Sequence, residues 1–276
     1  MELTKSLTPK IKRLIYASSL VVGVAIVIIG YYSVSLSFIF HSYLALGLAV
    51  GLLAPSIILH LEARRKKLID NAWPMLLENL AGSQEAGMTL LQALEDASHR
   101  KYGPITVELK KLTAQLTWGM EFEKAFIEFS KRIGTEFSTR ISILIFEAVR
   151  LGGDLKASFN STAEFVREMI KLRDERESQL RSYLMVIYVS FFVFVAVIVL
   201  LYQSFFVPMS KTPTSFLRLT MSLEGYKSLL FDLSIVEAIF GGLVAGKLSE
   251  GSMLNGLKHS VILLAVVTLI FTFFLS

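Results

Sequence analysis

The segment nearest to a chemical motif is Gly241-Gly242-Leu243-Val244-Ala245-Gly246-Lys247-Leu248. A phosphate loop needs backbone amides wrapped around an anion, a lysine on the outer phosphates and a Ser or Thr on magnesium, set between a strand and a helix. Leu248 stands where that hydroxyl belongs and no strand pattern precedes the glycines, so nucleotide binding is not assigned. The same residues are read for helix packing instead: Gly242-x3-Gly246, like Gly47-x3-Gly51, lets two helices approach closely in lipid. The four histidines, His41, His60, His99 and His259, are scattered and have no ligand or nucleophile at motif spacing. With no cysteine there is no thiolate nucleophile, disulfide or Cys-held metal. No catalytic, cofactor-binding or metal residue is therefore assigned, and the chain is not read as an enzyme. Asn160-Ser161-Thr162 has the form of a glycosylation acceptor but falls in a segment read below as cytoplasmic. Glu237 is the remaining candidate, because a carboxylate within an apolar segment is costly and tends to face a partner or a cavity. Two readings stand: Glu237 faces the bundle interior and receives a cationic group, or it sits in water with Asp232 at the outer end of a short span.

These residues must be held by membrane helices. Of 276 residues 53% are hydrophobic and 18% charged, with a mean hydropathy of +0.58; soluble domains carry about 25% charged residues. The 48 uncharged residues between Arg13 and Glu62 would run to about 72 Å as helix, enough for two spans. The expected spans are Leu14 to Tyr32 and Leu44 to Leu61, broken around Tyr31 to Tyr43 where tyrosines, serines and His41 collect. A third runs from Ser182 to Ser210, and two weaker ones cover Leu229 to Ala245 and Ser260 to Ser276. The first run is too long for a signal peptide and lacks a small-residue cleavage site.

Net charge is +5, and its placement sets orientation. Residues 62–181 hold 19 basic against 18 acidic side chains, so the excess surrounds the apolar runs, which suits membrane topology and not a nucleic-acid footprint. Lys5, Lys10, Lys12 and Arg13 precede span one, and Arg64, Arg65, Lys66 and Lys67 follow span two. Both flanks are expected in the cytoplasm. The C-terminus is then external, as is the 211–228 loop, although Lys211, Arg218 and Lys227 run against the rule.

The expected fold is all-α: an N-terminal transmembrane hairpin over 1–61, a cytoplasmic helical-bundle domain over 62–181, and three spans over 182–276. Within the middle domain Pro74 is expected to open a helix at its first turn. Gly87-Met88-Thr89-Leu90-Leu91-Gln92-Ala93-Leu94 is echoed 32 residues on by Gly119-Met120-Glu121-Phe122-Glu123-Lys124-Ala125-Phe126, each a glycine turn followed by a helix with a small alanine. Two copies are fewer than a solenoid needs. From Asp154 to Val207 the 54 residues contain no glycine or proline, so a single helix could run from domain to membrane, against the alternative of a bend near Arg181.

Trp73-Pro74-Met75-Leu76-Leu77-Glu78 leading to the Gly87 segment, then Glu147-Ala148-Val149-Arg150-Leu151-Gly152-Gly153-Asp154-Leu155, resembles the type II secretion system F domain family. These are the platform proteins of type IV pilus, secretion and archaellum machines. The tail from Gly246 to His259 is similar to the archaeal branch, which points to an archaeal cell membrane. The resemblance implies a non-enzymatic platform coupling a hexameric secretion ATPase to pilin-like or archaellin-like subunits, with Glu237 a candidate to receive a subunit's amino terminus. It also implies an ATPase contact at the glycine turn, for which Glu147, Arg150, Gly152, Gly153 and Asp154 are the candidates. Many relatives carry two cytoplasmic modules and this chain one, so three arrangements are expected as alternatives: a homodimer, pairing with a second platform chain, or one half of a longer relative. Membrane lipid is a further expected partner; nucleic acid is not. The alternative is a small-molecule or ion permease, motivated by Glu237 and the glycine-bearing fourth span.

Overall fold

The computed structural model describes residues 9–33, 38–211 and 222–274, and among them all regular structure is helical. Lys5 and Arg218 lie outside the described residues. Helices α1 (Pro9–Ser33), α2 (Phe38–Glu85), α3 (Leu90–His99), α4 (Ile105–Thr117), α5 (Phe122–Ile133), α6 (Glu136–Leu151) and α7 (Leu155–Leu201) are followed by a π-helical turn, Tyr202–Phe206, and the short α8 (Val207–Lys211). After these come α9 (Leu223–Glu250) and α10 (Leu257–Phe274). Among the described residues five helices are long and apolar enough to cross a membrane: Lys10–Tyr32, Ile39–Glu85, Leu155–Ser210, Leu223–Glu250 and Leu254–Phe274. The second and third of these, at 47 and 56 residues, far exceed the roughly 20 residues that a bilayer needs. The apolar part of α2 ends at Leu61, where Glu62-Ala63-Arg64-Arg65-Lys66-Lys67 begins.

The chain divides into two compact units, Met1–Leu61 with Glu177–Ser276, and Glu62–Arg176. The second is a bundle built from the charged half of α2, α3 to α6, and the first half of α7. Its core includes Trp73, Leu77, Leu94, Leu109, Phe129 and Phe159. Burying each such side chain contributes about 1.5–3 kcal/mol.

Pro74 does not open a helix; it sits, buried, inside continuous α2. Packing on both sides outweighs the one hydrogen bond it removes. Along this stretch α2 runs antiparallel to α7, and a ladder of polar bridges lines the pair. Lys67 meets Asp174 at 3.1 Å, Arg173 meets Asp70 at 3.3 Å and Asn71 at 2.7 Å, Arg167 meets Glu78, and Lys156 meets Glu85 at 2.6 Å. The long glycine-free stretch is one continuous helix to Leu201. Along its first half Phe159 and Val166 are buried, whereas Met169 is exposed.

In the other unit an apolar core that includes Phe191, Phe231 and Phe271 is joined by close contacts that run through glycine. A Cβ on Gly47 would lie 2.6 Å from the Gly23 carbonyl oxygen, and one on Gly23 would lie 2.5 Å from that of Gly47. Gly242 of α9 lies against Ser260 of α10, and Gly246 lies against Gly256 in the turn just before α10, with no room for any side chain. Lys227, expected in the outward loop, is buried in α9, because that helix begins at Leu223.

Candidate functional site

Three of the five breaks among α2 to α7 are built alike. At Gly87, Gly119 and Gly152 the backbone turns left-handed, with φ of 83°, 85° and 66°, a conformation cheap only for glycine. Each glycine amide donates to the carbonyl three residues back: Gly87 to Gln84 at 3.0 Å, Gly119 to Leu116 at 3.0 Å and Gly152 to Val149 at 3.2 Å. The first two add a second bond, Met88 to Ser83 and Met120 to Gln115, completing the Schellman closure of the preceding helix. Two residues past each glycine a new helix is opened by Thr89, Glu121 or Asp154. Thr89 and Asp154 cap the amides of Gln92 (3.3 Å) and Ala157 (3.1 Å). Seven residues past each glycine an apolar side chain, Leu94, Phe126 or Phe159, enters the core. The repeat visible in the sequence at two positions therefore has a third copy at Gly152. Its signal was there to read, Gly152-Gly153-Asp154-Leu155 with Phe159, but the spacing is 33 instead of 32 and Gly153 replaces the methionine.

Alternate connections of an up-and-down bundle fall at one end. The intervening connections, Arg100–Pro104 and Gly134–Thr135, reverse the chain away from it. The Glu85–Lys156 pair ties the first turn to the third. This turn end carries half-buried Glu147 and exposed Arg150, paired with each other at 3.2 Å, and Gly152, Gly153 and Asp154, all exposed. It also carries large apolar side chains that motif reasoning passed over: Trp118 at 91% exposure and Leu151 at 77%, beside exposed Met88, Leu91 and Met120. A tryptophan left in water at the tip of a bundle that buries Trp73 completely is unusual for a domain with no partner.

The opposite end is polar. Asp70, 7% exposed, accepts from Thr135 Oγ1 at 2.8 Å and from Ser138 Oγ at 3.4 Å, while Trp73 Nε1 donates to Ser138 Oγ at 2.7 Å. Burial pushes the Asp70 carboxyl above its ordinary value, against the opposing pull of Thr135 and Arg173.

In the other unit Glu237 is half-buried on α9 and has no hydrogen-bond or ion partner among the described residues. Asp232, by contrast, is held by His41 Nδ1 at 2.8 Å. No hydrogen bond or ion pair joins Glu237 to Asp232 among the described residues. His259 meets the Tyr188 hydroxyl at 2.8 Å, and Lys258 bridges Glu250 and His60. No group of three or more His, Asp or Glu side chains able to hold a metal occurs among the described residues.

Residues 76–203 match the family described as Type II secretion system (T2SS), protein F. Among curated proteins, an uncharacterized protein of Methanocaldococcus jannaschii is 27% identical over 208 residues, which cover 75% of this chain and 34% of that protein. The Flagella accessory protein J of the same archaeon is 23% identical over 128 residues, covering 46% of this chain and 23% of its own length. The chain therefore spans about a third or less of the curated relatives it matches. No solved structure matches it.

Proposed function

From a multi-pass membrane protein whose residues 76–203 form a type II secretion system protein F domain, we infer a non-enzymatic platform that couples a cytoplasmic hexameric secretion ATPase to the assembly of pilin-like or archaellin-like subunits. The observation that carries the reading is the turn end of the Glu62–Arg176 unit, where three like turns present Trp118, Leu151, Met88 and Met120 to solvent around the Glu147–Arg150 pair. Exposed aromatic and aliphatic anchors ringed by charge have the make-up of a protein-binding surface. The flagella accessory relative supports a filament machine as the setting. Under this reading the Glu62–Arg176 unit lies in the cytoplasm, since the basic runs flanking spans one and two face that side.

The test is capture of the ATPase by the full chain from gently solubilised native membranes. Trp118→Ala with Leu151→Ala should weaken capture at least about tenfold, the loss of a single hot spot being worth about 2 kcal/mol. Asp154→Lys should weaken it as well. Both apolar side chains are exposed, so that double variant should unfold at the wild-type temperature, whereas Asp154→Lys also loses the cap on Ala157 and should unfold slightly lower. Unchanged capture removes the turn end as the contact; no ATPase or pilin-like subunit in the wild-type capture removes the platform reading.

A further inference from the structure

At the end of the helical unit opposite the turns, a cavity of about 430 Å³ is lined by Lys66, Asp70, Thr135, Glu136, Arg140 and Arg173, with Gly134 and Phe137 between them. Its donors and acceptors are out of balance. The two carboxylates are already engaged: Asp70 by Thr135, Ser138 and Arg173, and Glu136 by Arg140 Nη2 at 2.5 Å. The cations are not exhausted. Lys66 has no hydrogen-bond or ion partner among the described residues, Arg140 uses one of its five N–H donors, and Arg173 Nε is buried without a partner. The α6 amino terminus opens on the same cavity, and the Thr135 hydroxyl caps only the Ser138 amide, leaving the first-turn amides of Glu136 and Phe137 without intrahelical partners. What would satisfy such a set is an acceptor-rich anion, and the volume exceeds that of a bare oxyanion.

Position selects the source. Lys66 lies five residues beyond Leu61, where the apolar part of α2 ends, or about 7.5 Å along the helix axis. The polar layer of a bilayer leaflet is about 5–8 Å deep. Lys66 is also one of four consecutive basic residues, Arg64-Arg65-Lys66-Lys67, the composition by which juxtamembrane segments hold anionic lipid. We propose that this cavity binds the phosphate of an anionic phospholipid headgroup, with Lys66 and Arg140 as the side-chain ligands and the α6 amino terminus as the backbone ligand. Such a lipid would pin the base of the bundle to the bilayer surface, whichever partner the opposite end receives.

The experiment uses the purified full chain in detergent and native mass spectrometry, with phosphatidylglycerol or zwitterionic phosphatidylcholine added. In parallel, thermal unfolding is followed with added inorganic phosphate. The wild type should retain phosphatidylglycerol over phosphatidylcholine, and Lys66→Gln with Arg140→Gln should lower that retention at least about tenfold, as expected for losing charge-assisted bonds. Arg140→Lys, which keeps the charge, should recover part of it. Lys66→Gln alone, at an exposed and unpaired residue, guards against a folding defect in the double variant. Stabilisation of the wild type alone by inorganic phosphate, without lipid retention, would keep the anion site but overturn the lipid assignment. Equal retention by wild type and variants, with no response to phosphate, would overturn the proposal.

Discussion

Glycine plays opposite parts along α2. Gly82 sits on the exposed face of the helix, and a Cβ there would meet nothing within 4 Å. Gly82→Ala should therefore stabilise the chain by about 0.5–1 kcal/mol, because alanine restricts the unfolded chain and meets no obstacle when folded. Gly47, on the same helix, faces the Gly23 carbonyl oxygen and Val27 Cγ2, both 2.6 Å from a built Cβ. The backbone atom cannot swing aside, so Gly47→Ala should destabilise by about 1–3 kcal/mol. Thermal unfolding of the two variants in one detergent checks both signs, and equal shifts would mean that α1 and α2 do not meet at this point. The spacing Gly47-x3-Gly51 pointed to this contact, but the partner glycine, Gly23, carries no motif of its own and emerges only from the packing.

Two prolines lie inside α2, and each leaves a carbonyl four residues earlier without its helical donor. For Pro55 that carbonyl is Gly51, which instead accepts from Ser19 Oγ on α1 at 2.9 Å. The same hydroxyl lies 3.0 Å from the Val50 carbonyl. Within a span no water would replace Ser19, so a neighbouring hydroxyl is what lets the helix keep its proline. Ser19→Ala should cost about 1 kcal/mol, and adding Pro55→Ala, which returns the amide, should recover most of it. A double-mutant cycle measured by unfolding in detergent tests this; additive effects would show that the serine and the proline do not share the carbonyl. At the element scale the sequence was legible where apolar runs are long. It misled at Pro74, because a residue that locally favours the first turn of a helix is carried inside one when two flanking half-helices gain more by packing as a unit.

For the whole molecule, the curated relatives extend well beyond the matched stretch, while this chain holds a single Glu62–Arg176 unit. On that unit Phe165, Met169 and Leu172 form an exposed apolar stripe at helical spacing on α7, with Met75 exposed on α2. A stripe of this kind calls for a second helix against it. We expect the chain to work as a homodimer or beside a second platform chain, and native mass of the gently extracted protein should show two such chains together. A strictly monomeric mass would count against the pairing and leave the stripe to another partner.

The sequence by itself determined the class of molecule. Five apolar runs, basic flanks and a charged helical interval follow from composition and period, which are properties of neighbouring residues. Tertiary structure alone decided what those residues meet. It brought three turns from distant parts of the chain to one end, where Trp118 and Leu151 stand exposed beside the Glu147–Arg150 pair. It likewise gathered Lys66, Arg140 and Arg173 from three helices around one cavity. Exposure and convergence depend on residues tens of positions apart, and a local pattern of apolar and polar types carries no record of which of them will be neighbours.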